Sequence, residues 1–222
     1  MFQSNYQHSE RSGTFKLNIV LLGSSGHCIA CIDVIESTGS FTIHGIVTEN
    51  HEHGKLYGYP ILGTDEVLES LVRPETGFVI AVGQIKSPVI RQKLFKKLNN
   101  LKASLPVIAA STAFVSPRAT IGQSVIVMHG AMVCANAIIE ANSIVNTNAS
   151  VEHGVEVGPH CHIATGARVN GDAKIGAGTF IGSGAVIGNG VSVGEGCVIS
   201  AGSTVLSDLK PHTFIRSIKN GK

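Results

Sequence analysis

Little charge and almost no charge imbalance mark this sequence. Charged residues make up 14% of its 222, and the formal net charge at pH 7 is +2. That balance supplies no strong pull toward nucleic acid or an anionic membrane surface. No apolar run reaches the ~20 residues of a membrane span, and the polar stretch from Met1 to Thr14 lacks a signal-peptide core. That stretch is expected to be a flexible tail, and no membrane insertion is expected. Cysteine is sparse and odd in number: Cys28, Cys31, Cys134, Cys161 and Cys197 are scattered through apolar surroundings. With no export signal, reduced thiols in the cytoplasm are the expectation. Disorder is excluded by a hydrophobic content of 43%, which is enough to bury a core. The length fits one large domain or two small ones.

What is present in abundance is a repeat. From Val115 to Val205 every sixth residue is Val or Ile, without a break. The residue four places later is usually small, as at Ala119, Ala131, Ala137, Ser143, Ala149 and Cys161. Glycine often follows the branched residue, as in Val157-Gly158, Ile175-Gly176 and Val193-Gly194. A period of six fits neither an α-helix nor an alternating strand. It fits a short strand and a corner, repeated, with the branched residue pointing inward onto its equivalent in the next coil. Glycine and asparagine suit corners that require positive φ. One coil cannot bury its own face, so stability comes from stacking. This is the hexapeptide repeat of a parallel β-helix.

The first half reads differently. Leu17 to Leu22 is a short apolar run, expected as a buried strand. Gly23 to Gly26 is a tight turn. His27 to Ser37 has apolar residues at helical spacing and stops at Gly39. Phe41 to Val47 and Phe78 to Gly83 read as further strands, with a helix from Pro88 to Leu98. Strands alternating with helices imply a small parallel sheet covered by helices. The segment from Ser104 to Thr112 links it to the first coil. Backbone N–H groups at the start of the first helix suit a phosphate. Gly23-x-x-Gly26 is only part of a dinucleotide fingerprint, so a structural turn stands beside that reading. Glu49 and Asn50 follow the second strand, where ligands sit in doubly wound sheets; a solvated loop is the plain alternative.

Gly23-Ser24-Ser25-Gly26-His27, Ile43 to Asn50, Ala81-Val82-Gly83-Gln84 and the coil with Val151-Glu152-His153 together resemble the PglD/NeuD-type bacterial sugar acetyltransferases. The similarity runs from about Leu17 to about Leu206. It implies a Rossmann-like α/β domain that binds a nucleotide sugar, followed by a left-handed parallel β-helix that binds acetyl-CoA. Chain boundaries follow: a tail at 1–14, the α/β domain at 15–110 and the β-helix at 111–222. The left hand comes from the resemblance alone, since general crossover chirality favours the right hand. The resemblance also implies a homotrimer with active sites between subunits, and a 4-amino sugar on a nucleotide as acceptor. O-acetylation of a sialic-acid-like sugar is the alternative within the family. A non-catalytic β-helix binding module is the alternative outside it.

His153 matches the family's catalytic base. Neutral imidazole suits removal of a proton from an amine or hydroxyl as it attacks a thioester. Gly171 lies eighteen residues on, at the same corner of the next coil, and the resemblance gives its N–H the oxyanion role. His162 matches a family histidine near substrate and thioester. It stands half a coil from His153, so the two would meet only across a subunit boundary. Both His162 and Gly171 are therefore expected to contact acetyl-CoA. Gly23, Ser25, Gly26, His27, Glu49, Asn50 and Gly83 are expected to hold the nucleotide sugar. Two features depart from the pattern. The base is usually followed by an acidic residue, but Gly154 follows His153 here, which makes Glu152 a candidate to orient the ring. The usual closing segment is replaced by Phe214 to Lys219, where Arg216 or Lys219 would have to meet the CoA phosphates.

Other signals carry less. Cys28-Ile29-Ala30-Cys31 stands where a redox pair would fall, yet two core-facing cysteines are the better reading. His51-Glu52-His53 reads as a polar loop, and His160-Cys161-His162 as outward histidines around an inward cysteine. No metal is expected at either. Gln123 to Asn148 holds a single acid, Glu140, and so no carboxylate pair for hydrolysis.

Overall fold

The computed structural model describes residues 16–49 and 54–216. The tail at 1–14, Asn50, His51-Glu52-His53 and Lys219 lie outside the described residues. The first domain is a five-stranded sheet. Its strands are β1 (Leu17–Leu22), β2 (Phe41–Val47), β3 (Lys55–Leu56), β4 (Tyr59–Gly63) and β5 (Thr76–Ile80), in the order β3-β4-β2-β1-β5. β1 runs parallel to β2 and β5, and β2 to β4; β3 and β4 form an antiparallel hairpin. Helix α1 (Gly26–Thr38) ends on Gly39 with φ 64°, the left-handed stop that a missing Cβ permits. Helix α2 is Leu68–Leu71 and α3 is Val89–Asn100.

Alternation along β1 sorts the core. Ile19 and Leu21 face α1 and pack on Cys28, Cys31, Ile32 and Ile35. Val20 and Leu22 face the other way, toward Leu68, Leu98 and Phe78. Burial pushes the Cys28 and Cys31 thiols up to about 11 and about 12, so neither is a ready thiolate. They are core residues, as the sequence suggested. β5 stops at Ile80, and Ala81 to Gly83 form a loop rather than the end of the strand.

The second domain is a left-handed parallel β-helix of two-residue strands in three sheets. One sheet carries Phe114–Val115, Met132–Val133, Ser150–Val151, Arg168–Val169, Val186–Ile187 and Thr204–Val205. The next carries Thr120–Ile121 through Ser192–Val193, and the third Ile108–Ala109 through Phe214–Ile215. Val133, Val151 and Val169 sit in register eighteen residues apart, and so do Ile139, Val157 and Ile175. The inward branched residues and the small residues Ala131, Ala137, Ala149, Cys161, Ala167 and Ala173 form one buried core. At each corner from Ser124 to Gly202, every sixth residue takes a left-handed φ between 55° and 70°. The first coil begins at Ile108–Ala109, one hexapeptide before the branched series, because alanine takes its inward position. The coil after Val205 is shorter: Val198 pairs with Phe214, sixteen residues on.

The two domains share a core. Ile108, Ile126 and Ile144, which point outward from the third sheet, are buried with α1. Arg91 of α3 is 1% exposed. Its Nη1 donates to the carbonyls of Ile80 (2.7 Å) and Val82 (2.8 Å). Its Nη2 donates to the carbonyl (3.2 Å) and Oδ1 (2.8 Å) of Asn142 on the β-helix.

Candidate functional site

Two groups of candidate residues form, at different places on the β-helix. The first is the corner between the sheet of Ser150–Val151 and that of Glu156–Val157. His153 is exposed there, just before the left-handed Gly154 (φ 67°). Its ring leans toward the next coil and lies on Gly171. A Cβ at Gly171 would stand 2.7 Å from both Cε1 and Nε2 of His153. A side chain at 171 would displace the ring from this position, and Gly171 has no left-handed φ to explain the glycine otherwise. The Gly171 N–H donates to no group among the described residues. His153 and the Gly171 N–H therefore adjoin on one edge, one coil apart. Glu152, next to His153 in the chain, has the Cys134 thiol of the preceding coil beside its carboxylate; burial, and then that carboxylate, push the thiol's pKa up.

The second group surrounds a cleft of about 520 Å³ between the first domain and the third sheet of the β-helix. Ser25, Gly26, His27 and Gly83 line it together with Gln84, Asn146 and His162. The local chain explains the shape. Gly23 has φ 117°, and a Cβ there would lie 2.8 Å from Val82 Cγ2, so only glycine lets the turn after β1 pass the loop after β5. That turn delivers Ser25 as the cap of α1, whose first N–H groups face the cleft. A Cβ on Gly26 would meet nothing within 4 Å.

His162 is not the solvent-facing residue that its outward position suggests. It is the rung after Ile144 in a ladder covered by the first domain, and it is 6% exposed. Its Nδ1 lies 2.6 Å from the carbonyl of Gln84 and its Nε2 3.0 Å from Nδ2 of Asn146. A carbonyl only accepts, so Nδ1 carries the proton and Nε2 accepts from the amide. Burial pushes its pKa down to about 4 against the opposing pull of the Gln84 carbonyl. Burial, then Arg91 and His162, push His27 down to about 3. Both rings are neutral at neutral pH. Among the described residues, His27 Nε2 and Gln84 Oε1 have no hydrogen-bond partner, which leaves a donor or acceptor site and an acceptor site for a ligand.

The remaining candidates fall elsewhere. Glu49 is exposed beyond β2 and does not line the cleft. Arg216 stacks over Phe214, 6.0 Å from the ring centre. Cys161 is fully buried, while His160 is at a left-handed corner beside Phe95. Among the described residues, no group of three or more His, Cys, Asp or Glu is placed to hold a metal ion. Sequence reasoning missed Gln84, Arg91, Asn142 and Asn146 as residues of the interface. Gln84 carried a signal as the end of the Ala81-Val82-Gly83-Gln84 segment, and the two asparagines as repeat residues near corners.

The fold and both sites now allow comparison with known proteins. The PglD N-terminal domain family matches residues 18–98, and the bacterial transferase hexapeptide family (six repeats) matches residues 172–207. The acetyltransferase domain of PglB from Neisseria gonorrhoeae FA1090, solved in complex with acetyl coenzyme A, is 30% identical. The match covers 90% of this chain and 95% of that one, with a TM-score of 0.83. PerB from Caulobacter crescentus, solved with CoA and GDP-perosamine, is 29% identical over 89% of this chain and 92% of that one, with a TM-score of 0.82. A search of curated proteins finds no match. With both domains matched in order and a relative covered almost end to end, the chain belongs to the PglD/NeuD-type bacterial sugar acetyltransferases.

Proposed function

We propose that this protein transfers the acetyl group of acetyl-CoA to the 4-amino group of a nucleotide-linked amino-dideoxy sugar, with His153 as general base. One observation carries the reading: the His153 ring rests on Gly171, whose N–H is free. A base and an oxyanion donor on one edge are what direct attack on a thioester requires. The neutral sugar amine adds to the thioester carbonyl as His153 takes its proton. The Gly171 N–H bonds the oxygen on which charge develops. Collapse of the tetrahedral adduct breaks the C–S bond, and the proton leaves with the CoA thiolate. No acyl-enzyme is needed, because the thioester is already activated. The relatives solved with acetyl-CoA and with CoA plus GDP-perosamine support the substrate classes.

In this reading residues 15–110 hold the acceptor and residues 111–222 carry the chemistry. Ser25, Gly26, His27 and Gly83 contact the nucleotide sugar, and Gly23 shapes their turn. Glu49 and Asn50 are proposed contacts to a part of the acceptor that extends beyond the cleft, and His162 meets it beside the thioester. The protein acts as a cytoplasmic homotrimer, in keeping with five free cysteines. The test is acetyl-CoA turnover against nucleotide-linked amino sugars and free sialic acids, with wild type and His153→Ala side by side. The amino sugars should be preferred, and His153→Ala should lower kcat by about 10²–10⁴-fold. Near wild-type kcat in His153→Ala would remove the base from this position. Turnover of sialic acids alone would make the enzyme an O-acetyltransferase.

A further inference from the structure

Gln84 stands in the loop after β5 and is 2% exposed, yet it lines the cleft. The β-helix pins it at two points. Its side-chain Nε2 donates to the Gly178 carbonyl at 3.2 Å. Its own carbonyl accepts from Nδ1 of His162 at 2.6 Å. That second bond is fixed from behind. The Thr147 N–H donates to Oδ1 of Asn146 at 2.7 Å, which turns the amide nitrogen of Asn146 toward Nε2 of His162 at 3.0 Å. Turned over, the Gln84 amide would set Oε1 against the Gly178 carbonyl, which cannot donate. The amide therefore has one orientation, and Oε1 is the atom left over. It has no hydrogen-bond partner among the described residues.

An unpaired buried acceptor is costly, so Oε1 calls for a donor from outside the folded chain. The cleft indicates which donor. Its lining has no Lys, Arg, Asp or Glu, and its two histidines are neutral at neutral pH. A diphosphate offers only acceptors and would repel Oε1. The amine of the acceptor has to reach His153, at a corner away from the third sheet. A ring hydroxyl meets both limits: it is neutral, and it can donate to Oε1 without holding back the amine.

We propose that Gln84 is a specificity-determining residue for the acceptor: its Oε1 accepts a hydrogen bond from a hydroxyl of the sugar ring, and a sugar lacking that hydroxyl is rejected. This rests on the reading of the cleft as the sugar's site. The two anchors supply the selectivity, since an oxygen that cannot turn away stays unpaired when the donor is missing.

The test changes enzyme and substrate together. Wild type and Gln84→Met are compared on a nucleotide-linked 4-amino dideoxy sugar and on its monodeoxy analogues, each lacking one ring hydroxyl. Wild type should lose about 10- to 100-fold in kcat/KM with one analogue. Methionine has a similar length and no such acceptor. Gln84→Met should lose a similar factor with the parent sugar and then treat parent and analogue alike, while the KM of acetyl-CoA stays unchanged. Loss of the Gly178 bond alone would weaken every sugar equally and leave the discrimination intact. Gln84→Asn, whose shorter side chain withdraws the oxygen, gives the same reading if the methionine variant does not fold. Inhibition by the free nucleoside diphosphate separates nucleotide from sugar, and its Ki should be the same in wild type and variant. A Ki raised as much as the KM of the parent sugar puts the contact on the nucleotide and overturns the assignment. Wild type that accepts every analogue as well as the parent overturns it, and so does discrimination that survives in Gln84→Met. Failure of wild type to turn over any nucleotide-linked amino sugar would instead remove the reading of the function, and this inference with it.

Discussion

Gly171→Ala isolates the position of the His153 ring from everything else at that corner. Alanine keeps the backbone N–H, so the proposed oxyanion donor survives. The backbone at 171 is not left-handed, so a methyl brings no conformational strain. It would, however, stand 2.7 Å from Cε1 and Nε2 of His153 and 3.4 Å from Nδ2 of Asn189. Carbon contacts are optimal from ~3.5 Å, so the ring must retreat by roughly 1 Å. His153 is exposed and can swing outward, which holds the stability change to about 0.5 kcal/mol. A displacement near 1 Å at a reacting group is worth about 10²-fold in rate. The expected result is a melting temperature close to wild type, an acetyl-CoA KM changed little and a kcat down about 100-fold. Steady-state kinetics and a thermal melt read these directly. The decisive comparison adds Gly171→Ala to His153→Ala. With no ring to push, the methyl should cost almost nothing further, the non-additivity expected of residues that act as a unit. Wild-type kcat in Gly171→Ala would refute the reasoning, and so would a full 100-fold loss that persists without the imidazole.

Three further outcomes follow from the same geometry. Gly26→Val projects into open space in the cleft, so it should raise the acceptor KM about tenfold or more while acetyl-CoA binding stays intact; unchanged acceptor kinetics would free the first domain from substrate binding. Mass measurement in solution should give three chains per particle, and a monomer with full activity would sink the shared site. The histidine of the cleft sets an acid limit on stability. With a folded pKa near 4 against an ordinary 6.5, the unfolded chain takes up the proton first as pH falls. Stability that is full above pH 6.5 is lost progressively toward pH 4, by about 3 kcal/mol for His162. Urea midpoints across that range should fall, and His162→Gln should lessen the dependence while His27, pushed down to about 3, keeps part of it; a wild-type midpoint independent of pH would contradict the buried neutral rings.

The β-helix was legible because its inward positions tolerate little but branched aliphatic residues, and sixfold spacing of Val and Ile has few other causes. Legibility failed where an inward position relaxed. Ala109 opens the first coil but does not announce itself, and the shortened coil after Val205 breaks the count. The corner of His153 and Gly171 was legible as spacing, since eighteen residues return the chain to the same edge. His162 and Arg91 show the larger limit. An outward rung reads as solvated until another domain covers it. An arginine among Lys93, Lys96 and Lys97 reads as part of a solvated face, although it is buried against carbonyls from β5, the following loop and a β-helix corner.

The placement of the two groups bears on how many chains make one site. The β-helix is a three-sided prism. The His153 corner joins two of its sheets, and His162 belongs to the third, so the filled core of inward Val, Ile and Ala lies between them. The Arg91 bonds to Asn142 tie the cleft to that third face, and burial of the guanidinium makes sliding costly, since both Asn142 acceptors would lose their partner at once. A single chain therefore offers a cleft on one side and a base on the other, with no hinge to bring them together. If the cleft holds the sugar and the corner holds the base, the amine must be presented to the His153 of another copy. Assembly is then a condition of catalysis, and the rigid tie through Arg91 is what sets the distance between one subunit's cleft and the next subunit's corner.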